Sequence, residues 1–157
     1  MPEVIRFKPH HLVDIFVQYG EGVPFTPDQC GNVVHIIAPR VLNDPEIIVE
    51  MESGVDDICK ACASNVNGTC VDTIDTRWRP KTPPLRQDWN LLVDRRYLAR
   101  LDLKDGDRLT AGQFAERVRE LTIEDFNEDL YPELPSQWNT QKLKNLKLGV
   151  AKFLDHR

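Results

Sequence analysis

The sequence predicts a single domain of the α+β class, mainly helical, with one short strand pair beside a cysteine loop. Three observations predict it. The chain has 157 residues, 41% of them hydrophobic, which suits one domain with a real core and leaves the cysteines unneeded as staples. Two short apolar runs, Val4–Phe7 and residues 47–51, read as strands, and the second runs straight into the cysteines. From Asp88 onward apolar residues recur at helical spacing. Residues 1–75 thus form the half that carries the strands and the cysteines, and residues 88–157 the helical half.

The elements come in a clear order. After the first strand, Lys8-Pro9 opens an apolar helix through Leu12, Val13, Ile15, Phe16 and Val17. Proline suits a helix start, because its missing N–H has no intrahelical partner there. Gly20 and Gly22 stop this helix. Residues 27–42, with Val33, Val34, Ile36, Ile37 and Val41, predict a second helix that Pro39 should kink or end. Asn43-Asp44-Pro45 is a turn signal, and strand 47–51 comes next. Residues 77–86 contain Pro80, Pro83 and Pro84 among Arg77, Arg79, Lys81 and Arg86, an extended crossing rather than a linker between two cores. Trp89, Leu92, Val93, Tyr97 and Leu101 mark the next helix. Thr110 with Gln113 three residues later predicts a reciprocal cap for a helix through Phe114, Val118 and Leu121. A short helix over 123–130 ends before Pro132, and the last, from Ser136, carries Leu143, Leu146, Val150 and Leu154 on one face. There is no internal repeat and no low-complexity tract.

The functional signal is Cys59, Cys62 and Cys70, a Cys-x2-Cys-x7-Cys spacing. Two thiolates two residues apart can turn from one tight loop onto a single metal or cluster, and Asn65, Asn67 and Gly68 can reverse the chain to return Cys70 to the same point. A redox dithiol of the thioredoxin kind needs a βαβ setting, and no long amphipathic helix opens at Cys59. A disulfide or plain buried thiols remain the bland alternatives. The chain starts without an apolar run long enough for a signal peptide, and no segment approaches membrane-spanning length. The expectation is a cytoplasmic protein with no membrane partner, whose reduced thiols favour metal over disulfide. Net charge of −5 and the lack of a dense Lys/Arg block argue against a nucleic-acid partner.

A second constellation, Pro9-His10-His11-Leu12-Val13-Asp14, lies at the first helix start. Neighbouring helical residues point about 100° apart, so only one of the two histidines readily faces a given site. Asp14, three residues beyond His11, can share its face. The bland readings are a histidine that caps the helix start and an aspartate on its solvent side.

Together the early Arg-Phe-Lys-Pro-His-His-Leu-Val-Asp and the later Ile-Ile-Val-Glu-Met-Glu-Ser-Gly-Val-Asp-Asp-Ile-Cys-Lys-Ala-Cys resemble a family of small prokaryotic proteins of unassigned function, suspected iron–sulfur binders. In that family the early motif runs Pro-His-His-Leu-Leu-Cys and the later one Asp-Asp-Ile-Cys-x-x-Cys, with a further cysteine soon after. The likeness covers about the first half of the chain and implies a [4Fe-4S] cluster. Where the family carries its early cysteine this chain has Asp14, and Cys30 lies downstream. Three outcomes are open: Cys30 supplies the fourth thiolate, Asp14 ligates through oxygen, or the fourth iron stays open to water or substrate. Four thiolates saturate the cluster and leave electron transfer with a redox partner, or structural support. An open iron is a Lewis acid for a small-molecule substrate, with His11 or Asp14 as candidate catalytic groups that move the proton.

Zinc is the rival metal. Three cysteines with Cys30 or with His10, His11 or His35 would make a tetrahedral set for a structural or interaction module. His35, inside an apolar run, reads first as a satisfied core histidine, and Cys30 equally well as a buried structural thiol. Asp56 and Asp57 read as residues that fold back on backbone amides. The arginines and lysine of 77–86 could clamp an anion or dock a redox partner, but a solvated crossing is the plainer reading. Trp78, Trp89 and Trp138 read as core or core edge.

Overall fold

Alternation along the first strand explains the sheet. In the computed structural model, which describes residues 3–155, Ile5 and Phe7 of β1 (Val4–Phe7) are buried while Arg6 is exposed. β1 pairs in parallel with β2 (Ile48–Met51), Val4 opposite Ile48 and Phe7 opposite Met51. A parallel pair needs a long crossover, and α1 (Pro9–Glu21) and α2 (Val34–Leu42) supply it. β3 (Asn65–Val66) and β4 (Thr69–Cys70) form a small separate hairpin. Asn67 and Gly68 reverse it with φ of 52° and 83°, the left-handed backbone that an Asn-Gly turn supplies. A third strand of the main sheet, β5 (Arg108–Thr110), adds antiparallel to the other edge of β2. Its three residues, one of them an exposed arginine, carry too little pattern to be read from sequence.

The helical half keeps the predicted order: α3 (Arg86–Arg100), α4 (Ala111–Arg119), a short segment over Asp125–Leu130 and α5 (Ser136–Asp155). The protein is therefore α+β and mainly helical. Thr110 caps α4, accepting from the Gln113 amide while the Gln113 side chain accepts from the Thr110 amide. The 125–130 segment is wound as a π-helix, closed by the Tyr131 amide on the Phe126 carbonyl.

Three expectations need correction. The second helix starts at Val34 and not near Pro27, because Asp28 and Asn32 accept bonds from the Cys30 and Val34 amides and hold the preceding stretch as a loop. Pro39 does not end α2, which runs on to Leu42 with Pro39 on its exposed side. The second strand begins at Ile48 rather than 47, although Ile47 is buried and its carbonyl accepts from Ala111.

The most extensive helix contact is α1 on α5, where the Phe16 and Phe153 rings lie 5.1 Å apart. Two glycines make it possible. A Cβ on Gly149 would overlap the Phe16 carbonyl, and one on Gly20 would overlap that of Asn145. Among the described residues no helix is long and apolar enough to cross a membrane.

The Gly149 contact gives a test whose sign is diagnostic. In a free helix Gly to Ala gains about 1 kcal/mol. Here Gly149→Ala should instead lose about 2–3 kcal/mol, read as a lower urea midpoint with an unchanged slope.

Candidate metal centre

The cysteine loop is anchored by one carboxylate. Asp56 is fully buried, and its Oδ2 accepts from the Lys8 amide at 2.7 Å and contacts His11 Nδ1 at 2.6 Å. Its Oδ1 accepts from the Ile58 and Cys59 amides at 3.1 and 3.0 Å. Burial alone would raise this carboxyl, but His11 and the donated amides overcome it and hold it well below the usual carboxylate range. Asp57 adds a second link, accepting from the Arg6 amide at 2.8 Å. Asp56 does fold back on the amides that follow it, whereas Asp57 does not and reaches across to β1 instead; together they tie the β1–α1 segment to the loop.

All four cysteines line one cavity of about 320 Å³, with Lys8, His11 and Arg86 also in its walls. Each arrives by a local device. The Cys62 amide donates to the Cys59 carbonyl at 2.9 Å, curling the Cys-x-x-Cys turn. Cys70 sits opposite Asn65 in the hairpin, its amide on Gln87 Oε1 of α3 at 2.8 Å. The 28–33 loop brings in Cys30, whose carbonyl accepts from the Ala63 amide and whose Sγ accepts from Asn32 Nδ2 at 3.2 Å. Gly31, at φ 87°, turns the chain where a side chain would crowd the Ala61 carbonyl.

Cys30 is half-buried beside Cys62 and not sealed in the core. The four cysteines are free thiols. Burial, with the Cys62 thiol alongside, pushes Cys30 up to about 11, and burial together with the Asp56 carboxylate pushes Cys59 up to about 11. At neutral pH both carry their protons, and a metal's charge is what would draw them into thiolates. Among the described residues no three His, Cys, Asp or Glu side chains stand in an arrangement that could hold a metal ion.

The two histidine rings lie against each other, centroids 4.3 Å apart, and both line a neighbouring cavity, but each imidazole takes its own carboxylate. His11, oriented through Nδ1 by Asp56, lies in the wall of the cysteine cavity, which leaves Nε2 as its free ring nitrogen. His10 turns to Asp94 of α3, with Nδ1 at 2.9 and 3.0 Å from its two oxygens. Burial pulls His10 down, but the adjacent Asp94 carboxylate outweighs it and raises the imidazole above its ordinary value.

Asp14 shares a side of α1 with His11 but lies outside the cysteine cavity, its Oδ1 held at 2.7 Å by Lys142 of α5. That ion pair meets its charge away from the thiols. His35 is half-buried and its Nδ1 has no hydrogen-bond partner, so it is not a satisfied core histidine; it lies outside the cavity lining. Asp94, Asn90 and Gln87 escaped the sequence reading. Asp94 and Asn90 had a signal, since both fall on the buried stripe of α3 with Val93 and Tyr97. Comparison of the chain with protein-family models, with curated proteins and with solved structures found no match.

Two predictions arise from these contacts. Asp56→Ala removes the acceptor of three amides and of His11 together and should cost about 3–5 kcal/mol in chemical denaturation, the usual loss when one partner of a buried pair is removed. The raised His10 binds a proton more tightly in the folded chain, so its contribution is full below about pH 6.5 and fades as pH rises through the folded value. The wild-type stability minus that of His10→Gln should therefore fall with rising pH across the range of about 6 to 9.

Proposed function

We propose that the chain binds one [4Fe-4S] cluster through Cys30, Cys59, Cys62 and Cys70. The observation that carries this reading is the placement of all four cysteines around a single cavity of about 320 Å³. A site for one ion closes its sulfur ligands to about 2.3 Å and leaves no void, whereas a water-sized occupant needs only about 10–15 Å³. The room available suits a polynuclear group. The resemblance of the two sequence motifs to suspected cluster binders points the same way.

Cys30 is the fourth ligand in this reading. It stands at Cys62 in the cavity wall, while Asp14 is engaged with Lys142 outside it. Lys8 and Arg86 in the same walls would offset the charge of four thiolates. A cluster supplies one-electron chemistry when bound, and four-thiolate saturation makes electron transfer with a redox partner its natural use. His11, steadied by Asp56 at the cavity wall, is the group placed to give or take a proton beside it.

Anaerobic reconstitution with ferrous iron and sulfide tests the reading. About four irons and four sulfides per chain with a visible charge-transfer band are expected. Cys30→Ala should lose iron as fully as Cys59→Ala, and Asp14→Ala should keep it. A colourless protein with one tightly held zinc per chain would overturn the cluster and leave a zinc module, the alternative that His11 in the same cavity wall would complete as Cys3His.

A further inference from the structure

Beside the cysteine cavity lies a second one of about 300 Å³, and its charge is not balanced. Three cations, Lys142, Arg86 and Arg79, line it together with His10, His11 and a single carboxylate, Asp14. Lys142 is matched by Asp14 at 2.7 Å, and Arg86 by Asp72 at 3.0 Å. Arg79 has only the longer-range attraction of Asp75, whose carboxylate is paired with Arg77. Among the described residues it makes no ion pair, and its Nε is buried without a hydrogen-bond partner. Its guanidinium carbon lies 4.9 Å from the Trp78 ring centroid and 5.9 Å from that of Trp89, stacking contacts that orient the group but leave its donors free. A half-buried guanidinium without an acceptor is costly, and an incoming oxyanion would relieve that cost with two parallel bonds.

The remaining walls fit the rest of a ligand. Trp89, Tyr131 and Trp138 give the cavity aromatic faces, and the Tyr131 hydroxyl is already occupied by that of Tyr97 at 2.7 Å. Flat apolar walls with one unpaired cation suit a small organic anion. From this juxtaposition we propose that the cavity is a binding site for a small molecule with an aromatic body and one carboxylate or phosphate, the oxyanion on Arg79.

The site lies close to the thiols. His11, Arg86 and Asn90 line both cavities, so a bound anion would share a wall with the proposed cluster and with the Asp56-oriented imidazole. The binding itself needs neither. Charge and aromatic walls are complete without the cysteines, so the proposal and the cluster reading stand or fall separately.

Tryptophan fluorescence tests it by titration with benzoate, phenyl phosphate, inorganic phosphate and benzyl alcohol, on metal-free protein and again on Cys59→Ala. Saturable binding is expected for benzoate or phenyl phosphate, and which is tighter identifies the oxyanion. Benzyl alcohol should bind at least about tenfold more weakly, and Cys59→Ala should bind as wild type does. Arg79→Gln should weaken the aromatic anion about tenfold or more, while Arg95→Gln, an exposed arginine outside the cavity lining, should change nothing. Lys142→Met, removing the second cation of that wall, gives an independent reading should Arg79→Gln not fold. Binding that never saturates, equal affinity for benzyl alcohol, or wild-type affinity in Arg79→Gln or, if that variant does not fold, in Lys142→Met would overturn the proposal. A preference for inorganic phosphate over both aromatic anions would overturn the aromatic part of it.

Discussion

The buried carboxylate of Asp56 is the constraint on which the site depends. Three amides and one imidazole converge on it, from Lys8 and His11 on one side and from Ile58 and Cys59 on the other. Just past the β1–β2 ladder the two segments, 48 residues apart in sequence, share one backbone bond, from the Asp57 amide to the Arg6 carbonyl. Charge-assisted bonds inside a low-dielectric interior add to it, and each is stronger there than in water. Parallel pairing of β1 with β2 places the two chain segments side by side, and Asp56 then locks the start of α1 to the cysteine loop just beyond the strand ends. The same side chain orients His11 and shapes the turn at Cys59, so fold and site are not separable at this point.

The charges around α1 are matched one by one. His10 is matched to Asp94, His11 to Asp56 and Asp14 to Lys142, each partner from a different part of the chain. The three side chains take three separate ion partners, although the histidine rings lie 4.3 Å apart and all three residues line the cavity that holds Arg79. Only His11 keeps company with the thiols.

Much of the framework was legible because it rests on local rules. The capping pair Thr110 and Gln113, the Asn67-Gly68 reversal, the proline start of α1 and the helical stripe of α3 each encode themselves within a few residues. What stayed hidden depends on partners distant in sequence. β5 exists because β2 has a free edge for it, not because its own three residues demand a strand. Cys30 looked equally like a core thiol until the loop held by Asp28 and Asn32 set it beside Cys62. Arg79 looked like part of a solvated crossing, and only the packing of two indoles around it reveals an unpaired cation. Local hydrogen-bonding habits also explain the misplaced start of α2, where short polar side chains competed with the helix and won.

The glycine crossing of α1 and α5 carries a consequence for the order of events in synthesis. α1 presents the Gly20 face early, yet its partner surface around Gly149 leaves the ribosome more than a hundred residues later. Until then the first helix has an uncovered apolar side, and the β1–α1 junction that Asp56 grips has no firm backing. Contacts of such long sequence separation form late and slowly. The walls of the cysteine cavity, by contrast, all come from residues 8–90, so every side chain of the site has left the ribosome well before the helix that backs α1.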